Sequence, residues 1–574
     1  MHQQTSAQSV ARGRWATLGA LAFLAILVWV VRYWHSGQFG FYEDDFTRIP
    51  EALTMTASAV WGRITWSFAN WVDHGKPLHP SLIYFLTFLG GRLGGLRAVY
   101  GIGYLIFTAN VFLFYALLRR LQRPGVALLG AIGYALFSAD TTQAFLTHSL
   151  GLQTSMLFLL LAFHAYLSKR RWVAYLIIPL VLITYETPFP VFLAAPLLLA
   201  GRWDRRLLRR LIWHTLILGL LLAVTVAIRY AIGESRVSGL TAESAITTPI
   251  VHMIEGPLVA MGTYFLRPLQ ALGKMTVEVG IAIALAFVVF LWLLSRLGHG
   301  EALSLRALLK ASRGRAFFQE LPDDVKSLFR LGATGLAMLI LAYPLTFTVP
   351  AYALRSRETR VHLAAVVGAS ILWACAGSLF VRLADGLGRR RLANVALAGL
   401  FAMLVGYGFV VQQDYILAWR YQQEFWTELI PLIPDADRGT VILVDPGALH
   451  DVSQIGANTW NLPRILNQIY VFPTEWRDPP RVFRLAPGWE EHIATQAGLF
   501  TLDGVTTVAP PSLYQTVARE QVILIEAGEG ELIRRTTPLV IAGVEFPLKG
   551  QTEAVLPSME RGNLYDYLIR ANGD

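Results

Sequence analysis

Long apolar stretches alternate with short polar, mostly basic segments over the first 411 residues of the chain. A helix that crosses a membrane needs about 20 predominantly apolar residues. The clearest stretches of roughly this length are residues 15–34, 98–118, 213–232, 279–294, 331–350, 363–381 and 393–411. The pattern therefore predicts an α-helical polytopic membrane protein.

Two weaker pairs of apolar stretches each predict a hairpin, at residues 126–138 with 150–167 and at residues 173–185 with 188–200. Basic residues flank the second pair on both sides and favour the cytoplasmic face, so the chain must turn back within it. We expect the turn at Glu186, because Pro188 disfavours helix in the residue before it. The predicted total is about eleven transmembrane helices.

Basic residues cluster between the apolar stretches, at residues 119–123, 169–171, 202–210, 296–330 and 382–391. Segments rich in lysine and arginine stay in the cytoplasm. This rule places the long first loop, residues 35–97, and the whole of residues 412–574 on the outer face. The expected localisation is a multi-pass cell membrane protein, in the bacterial inner membrane, with its site on the extracytoplasmic side.

The tail after residue 411 differs in character, because it is richer in charge, proline and turns. Residues 440–445 and 521–525 are typical of short buried strands, and residues 539–545 alternate like another strand. The predicted organisation is a transmembrane module at residues 1–411 and an extracytoplasmic α/β domain at residues 412–574.

Composition agrees with the membrane assignment and excludes several function classes. Hydrophobic residues make up 54% of the chain and charged residues 15%, whereas a soluble domain carries roughly 25% charged residues. The net charge of +10 comes from residues at helix ends, so no nucleic-acid partner is expected. The single cysteine, Cys375, supports neither a disulfide nor a cysteine-based metal site.

Three adjacent carboxylates, Glu43, Asp44 and Asp45, follow the first apolar stretch. Like charges in contact repel, so they indicate a general base, a bound cation or open solvent. Further along the loop, residues 61–71 predict an amphipathic interfacial helix, and residues 82–93 a second interfacial or re-entrant helix. A reactive site and a solvated loop both remain open from the triplet alone.

This arrangement resembles a known family. An acidic pair after the first span, a long loop with two interfacial helices and the stretch His74-Gly-Lys-Pro-Leu-His-Pro80 are similar to the GT-C superfamily of integral-membrane glycosyltransferases. Protein O-mannosyltransferases and aminoarabinose transferases are the nearest members. The resemblance covers residues 15–411 and implies a GT-C-like fold, a polyprenyl-phosphate sugar donor and inverting transfer to a glycan, lipid or protein acceptor.

The resemblance also implies roles for individual residues. Asp44 corresponds to the general base and Asp45 to the second acid, although Glu43 and Asp44 could equally form the pair. Asp45 could bind the acceptor or a divalent cation, and metal dependence stays open. Arginines suit phosphate through their forked guanidinium groups. The further expected substrate-binding residues are Arg355, Arg357, Arg360, Lys76, His79, His148 and Glu186.

Two other functions remain as alternatives. A transporter or flippase of a lipid-linked substrate would carry ionisable groups near mid-membrane. A scaffold for cell-envelope assembly would need no reactive acid. Because the polar candidates gather at one predicted face, the sequence favours chemistry at the membrane surface. Arg267, in a predicted outer loop, is expected to be an interfacial arginine whose charged end reaches the surface.

Overall fold

The computed structural model describes residues 2–200, 203–234, 241–298, 301–303, 321–450, 452, 461–493, 495–496, 498–541 and 543–570. The chain divides into two compact units. The first unit contains Met1–Gly37, Ser58–Leu86 and Arg97–Gln413, and the second contains Gln38–Ala57, Thr87–Leu96 and Asp414–Asp574. Arg202 and most of the predicted cytoplasmic segment 296–330 lie outside the described residues.

Helices account for most of the described chain up to residue 432. In chain order they are α1 (His2–Val28), α2 (Ile49–Thr54), α3 (Ala57–Ala69), α4 (Val72–Gly75), α5 (Leu78–Arg119), α6 (Pro124–Ala135), α7 (Gln153–Leu167), α8 (Arg171–Thr184), α9 (Ala195–Leu198), α10 (Arg205–Ala231), α11 (Ala242–Gly273), α12 (Val277–Arg296), α13 (Asp323–Ile340), α14 (Ala365–Gly386) and α15 (Arg390–Leu432). Two π-helical turns, Trp29–Tyr33 and His148–Leu152, extend α1 and precede α7. Short 3₁₀ segments include Phe189–Ala194 and Ser356–His362.

Among the described residues, seven helical segments are long and apolar enough to cross a membrane. They are Trp15–Gln38, Leu78–Arg119, His148–Leu167, Arg205–Ala231, Val277–Arg296, Ala365–Gly386 and Arg390–Leu432. Shorter apolar helices occur at Pro124–Ala135, Arg171–Thr184 and Phe189–Leu198. The chain is thus a mostly helical protein with several helices that could span a membrane, while the span count of about eleven stays a prediction.

Three segments predicted from the sequence differ in extent or character from the helices of the structure. The stretch 331–350 is helical only as far as Ile340, because Pro344 disfavours helix just beyond it. The stretch 393–411 is part of α15, a 43-residue helix that meets neither glycine nor proline between Gly408 and Pro431. The predicted outer loop 233–278 contains α11, a 32-residue helix that accommodates three prolines.

The long first loop contains the predicted helices. α3 carries Trp61 and Trp66 with exposed side chains, as expected for an amphipathic helix. The stretches 82–93 and 98–118 both lie within α5, which is broken between them. Gly94 and Gly95 depart from helical geometry there, and Gly95 has a φ of 67°, a conformation that favours glycine.

Close packing of small residues holds the centre of the first unit together, where α14 packs against α6 and α13. A side chain at Gly368 would place its Cβ 2.3 Å from the backbone nitrogen of Leu339, and one at Gly335 would meet Ile371 at 2.6 Å. Small residues allow such close helix approach where no hydrophobic driving force acts between helices in lipid. In contrast, α10 and α12 leave most of their apolar residues uncovered.

The second unit contains the predicted sheet. Strands β1 (Val441–Val444), β3 (Arg481–Arg484), β7 (Val522–Ala527) and β8 (Leu532–Arg534) form it in the order β3-β1-β7-β8. β1 runs parallel to both neighbours, and β8 is antiparallel to β7. Helix α16 (Leu462–Ile469) connects β1 to β3, as parallel strands require a crossover. This part of the chain therefore has α/β character.

The second unit also contains smaller sheets. β2 (Tyr470–Val471) pairs with β11 (Glu560–Arg561), and β4 (Thr495–Gln496), β5 (Leu499–Thr501) and β6 (Thr516–Ala518) form a three-stranded sheet. The predicted strand 539–545 is instead a hairpin of β9 (Leu539–Ile541) and β10 (Val544–Phe546), because Gly543, with a φ of 80°, lets the chain reverse. A short helix, α17 (Tyr565–Leu568), comes last.

A buried ion pair ties the end of α15 to the sheet inside the second unit. Asp435 and Arg534 are 1% and 7% exposed, and Arg534 donates to both carboxylate oxygens at 2.5 and 3.0 Å. Arg534 also donates to the carbonyl oxygens of Leu432 and Lys549. Burial acts to raise the pKa of Asp435, but the hydrogen bonds and charge of Arg534 outweigh it and lower that pKa.

This pair predicts a pH dependence of stability. Because the folded-state pKa of Asp435 is lowered, its contribution is complete at neutral pH and disappears as the pH falls below about 4, its unfolded value. Asp435→Asn should lower the free energy of unfolding by about 3 kcal/mol at pH 7, and by less at pH 3. Urea unfolding of the purified full chain at both pH values measures this.

The control for this experiment is Asp478→Asn, which removes the more exposed ion pair with Arg438. Exposed pairs contribute about 0–1 kcal/mol, so this variant should remain close to wild type. An Asp435→Asn effect that is the same at pH 7 and pH 3 would contradict the assigned ionisation.

The predicted orientation can be tested at three exposed serines. In a Cys375→Ala background, Ser58→Cys and Ser512→Cys should react with a membrane-impermeant maleimide in intact cells. Ser168→Cys, in the basic turn between α7 and α8, should react only after permeabilisation, because basic turns stay in the cytoplasm. Reaction of Ser58→Cys and Ser512→Cys from opposite sides would refute the predicted topology.

Candidate functional site

The acid triplet begins a 3₁₀ turn, Glu43–Thr47, within the second unit. Glu43 starts this turn with a φ of 42°, in the left-handed region that non-glycine residues seldom adopt. Glu43 and Asp45 are buried, and Asp44 is half-buried. The triplet is therefore not the solvated loop that one interpretation of the sequence allowed.

The three acids have different environments. Asp45 is fully buried, and its Oδ2 accepts a hydrogen bond of 3.3 Å from the backbone N–H of Tyr42. In return, the backbone N–H of Asp45 donates to the carbonyl oxygen of Tyr42 at 2.9 Å. The carboxylate of Asp45 thus helps to hold its own turn together. Asp44 is the most exposed of the three, which favours it as the acid available to a substrate.

Aromatic rings pack against one another around the turn, all within the second unit. They belong to Phe41, Tyr42, Phe46, Tyr415, Trp419 and Tyr567. The Tyr42 hydroxyl donates to the carbonyl oxygen of Tyr415 at 2.9 Å, and burial raises the pKa of Tyr42. Gly40 lies so close to Trp419 that a Cβ there would come within 1.8 Å of the indole. This packing fixes the start of the turn Glu43–Thr47.

Two side-chain amides at α16 bind the backbone on either side of Asp44 and Asp45. Asn461 donates to the carbonyl oxygen of Glu43, and Gln468 donates to that of Phe46 at 2.7 Å. The sequence analysis missed both, because neutral amides in the tail carry no signal of long-range contact with residues 43–46. We call residues Glu43–Thr47 the acid turn, and the side-chain amides of Asn461 and Gln468 its amide clamp.

In the first unit, a cluster of charges surrounds Glu186, at the predicted turn after α8. Its carboxylate lies 3.7 Å from the ammonium group of Lys76 and 3.4 Å from the guanidinium group of Arg229. Arg229 also donates to the carbonyl oxygen of Leu182 at 3.0 Å, and Lys76 lies over the ring of Tyr185. Glu186 therefore balances two cations, and its expected contact with substrate stays a prediction.

Arg229 was missed in the sequence analysis although a signal was present. It lies inside the predicted span 213–232, and an ionisable residue within a span is a functional-site hypothesis by default. Its alkyl chain packs on Gly75, where an added Cβ would come within 2.6 Å. Gly75 has a φ of 73°, so both its conformation and this close approach require glycine.

A second group in the first unit brings together two histidines and two arginines. His148 is 4% exposed, and its Nδ1 has no hydrogen-bond partner among the described residues. Arg360, His79 and Arg357 all lie close enough to His148 to act on it electrostatically. The ring of His79 packs against Gly151, where an added Cβ would come within 2.4 Å. We call His79, His148, Arg357 and Arg360 the cationic cluster.

Hydrogen bonds to neighbouring segments hold in place the segment that carries Arg355, Arg357 and Arg360. Ser356 has a φ of 61° and starts the 3₁₀ segment Ser356–His362. The hydroxyl of Thr359 accepts from the backbone N–H of Thr141 at 3.2 Å, which ties the segment to the loop before His148. His362 bonds to Tyr343 and Ala353, and burial lowers its pKa to about 4. Arg355 is exposed, whereas Arg357 and Arg360 are half-buried.

Arg267 is not the interfacial arginine that the sequence predicts. It is 1% exposed and donates to the carbonyl oxygen of Leu354 at 2.6 Å and to the side chain of Gln270 at 2.7 Å. Its guanidinium group lies over the ring of Tyr407. Because α11 occupies the segment that was predicted as a loop, Arg267 is carried on a packed helix and braces the residue before Arg355.

Another buried arginine, Arg32, lies at the end of the first helix and was also missed. It donates to the carbonyl oxygens of Ala135 and Phe137 and to the side chain of Gln143. Asp140 is its electrostatic partner. Burial raises the pKa of Asp140, while its hydrogen bonds with Thr142 act in the opposite direction.

The structure thus groups the predicted residues within each unit. Lys76, His79, His148, Glu186, Arg357 and Arg360 belong to the two neighbouring clusters of the first unit, whereas Glu43, Asp44 and Asp45 belong to the second unit. Within the described residues, no group of three or more His, Cys, Asp or Glu side chains is placed to hold a metal ion. No family model and no curated protein matches the chain.

The Glu186 cluster predicts a stability effect. Glu186→Gln removes the negative charge that pairs with both Lys76 and Arg229, two cations that are largely shielded from bulk water. The free energy of unfolding should fall by about 2 kcal/mol, less than for a fully buried pair. Thermal unfolding in detergent measures this. Glu243→Gln, at an exposed position of the same unit, should have no effect, and equal behaviour of both variants would contradict the assignment.

Proposed function

We propose that the protein is a glycosyltransferase that moves a sugar from a polyprenyl-phosphate donor to an acceptor at the outer membrane face. The single observation that carries this proposal is the cationic cluster. Four side chains that can donate hydrogen bonds to an anion, His79, His148, Arg357 and Arg360, gather in the first unit. Together they offer several hydrogen-bond donors, among them two forked guanidinium groups, to a single anion.

The chemistry of the cluster suits a phosphate. Two arginines supply forked donors, which match phosphate oxygens better than a lysine does. The buried Nδ1 of His148 without a hydrogen-bond partner offers a further polar contact. The uncovered apolar faces of α10 and α12 in the same unit suit contact with lipid chains. A ligand with an anionic head and a hydrocarbon tail combines both requirements.

Asp44 is the proposed general base. The acceptor hydroxyl loses its proton to the Asp44 carboxylate while its oxygen forms a bond to the anomeric carbon of the sugar. The bond between that carbon and the phosphate oxygen breaks, and the polyprenyl phosphate leaves with the electron pair. The arginines neutralise the charge that develops on the leaving phosphate. A single displacement of this kind inverts the anomeric configuration.

The resemblance to GT-C enzymes agrees with these roles and supplies the class of donor. The exposure of the acids supports the assignment of Asp44, because Asp45 is fully buried whereas Asp44 is half-buried. A transporter or flippase of a lipid-linked substrate could use the same cationic cluster, and a scaffold would need neither group. The acid turn is the feature that separates the enzyme from both alternatives.

The test measures transfer from a radiolabelled polyprenyl-phosphate sugar to acceptors in membranes that contain the full-length protein. Asp44→Asn keeps the size of the side chain but removes the base, so transfer should fall by a factor of about 10² or more. Donor binding should be retained, because the cationic cluster is unchanged. Asp45→Asn should be milder, because its amide oxygen can still accept the N–H of Tyr42.

The arginines should show the reverse pattern. Arg357→Ala and Arg360→Ala should each weaken donor binding by about tenfold or more, the range for hydrogen bonds to charged groups. Arg355→Ala is the matched comparison, because this side chain is exposed, and its effect should be smaller. Full transfer by the Asp44→Asn, Asp45→Asn double variant would refute the enzyme at this site. Donor binding without any transfer by wild type would favour the transporter.

A further inference from the structure

We propose that the α/β part of the tail positions the reactive acid, with Asn461 and Gln468 as positioning residues for the proposed transfer reaction. The claim that Asp44 takes part in a reaction rests on the proposed function. The claim that the tail holds the acid turn rests on contacts within the second unit alone. The amide clamp binds the carbonyl oxygens of Glu43 and Phe46, which directly precede and follow Asp44 and Asp45. Both acids are therefore held from two sides through their backbone.

The conformation of the acid turn explains why a clamp is needed. Glu43 has a φ of 42°, a sparsely populated conformation for a residue with a side chain. Such a conformation persists only when the surrounding structure fixes it. The amide of Asn461, which is fully buried, binds the carbonyl oxygen of that same residue. The contact therefore acts on the residue with the strained backbone, which directly precedes Asp44 and sets the direction of the chain there.

The element that carries the clamp is well packed. Helix α16 buries Leu462, Ile465, Leu466 and Ile469 and belongs to the connection between the paired parallel strands β1 and β3. Asn461 directly precedes α16 and Gln468 lies in its last turn, so one element supplies both amides. A catalytic group must be held within a fraction of an ångström of its productive geometry. A packed helix meets this requirement better than a free loop does.

Substitutions of the two amides, with Gln468→Glu as the near-isosteric one, separate positioning from mere stability. Gln468→Glu changes the donating amide into a carboxylate, which cannot donate to the carbonyl oxygen of Phe46 and repels it. Asn461→Ala removes the other contact. Asn467→Ala is the matched control, because Asn467 lies on the same helix but its amide binds the carbonyl oxygens of Pro463 and Pro480.

The first measurement is amide hydrogen exchange of the full-length protein in lipid nanodiscs. Exchange of residues 41–48 should accelerate by about tenfold in Gln468→Glu and Asn461→Ala, while the strands β1 and β7 keep their protection. Asn467→Ala should match wild type. Gln468→Glu decides the outcome, because Gln468 is half-buried and the change is small. Unchanged exchange of residues 41–48 in this variant would overturn the clamp.

The second measurement is transfer activity with the donor described above. Loss of positioning should lower kcat about tenfold while the KM for the donor stays the same, because the cationic cluster belongs to the first unit. Faster exchange with an unchanged kcat would overturn the positioning role. If wild type shows no transfer at all, the proposed function fails, and the exchange experiment still decides whether the tail holds the acid turn.

Discussion

The cost of taking a positive charge away from water governs much of this structure. Arg32, Arg229, Arg267 and Arg534 are all buried, and each donates to at least one backbone carbonyl oxygen. A buried guanidinium group is tolerated only when oxygen atoms replace its hydration. Carbonyl oxygens that no helix uses occur at helix ends and in loops. The buried arginines therefore join such segments to one another and fix the loops where the polar clusters form.

The sequence predicts the helical part of the fold well where hydrophobic length is the deciding quantity. The apolar stretches at 98–118 and 279–294 lie within helices, 363–381 is helical from Ala365 onward, and the weaker stretches on either side of Glu186 are largely helical. The sequence-based prediction fails where a helix contains prolines, which usually interrupt helices. α11 contains three prolines and is helical nonetheless, because packing against α13 and α14 stabilises it. Local composition does not contain that tertiary contribution.

The candidate site shows the same division. Its residue types are visible in the sequence, because three adjacent carboxylates repel one another and three arginines in a predicted outer segment depart from the positive-inside rule. Their partners are not visible. Asn461 and Gln468 are ordinary polar residues until the fold brings them to residues 43–46, and the role of Asp45 in its own turn follows from one hydrogen bond. Hydrogen-bond geometry over long sequence separations is set by the fold, so periodicity and spacing cannot reveal it.

The amide clamp also has a consequence for the time at which the acid turn takes its shape. Asn461 follows Glu43 by 418 residues, and Gln468 follows Phe46 by 422 residues. At about 5–20 residues per second, a ribosome needs roughly 20–80 seconds to synthesise that interval. During this period the first helix can already be in the membrane, but residues 43–46 lack the donors that hold their strained backbone. Asp44 therefore acquires its final orientation only after residue 468 has been synthesised, so that a shorter growing chain carries no finished acid turn.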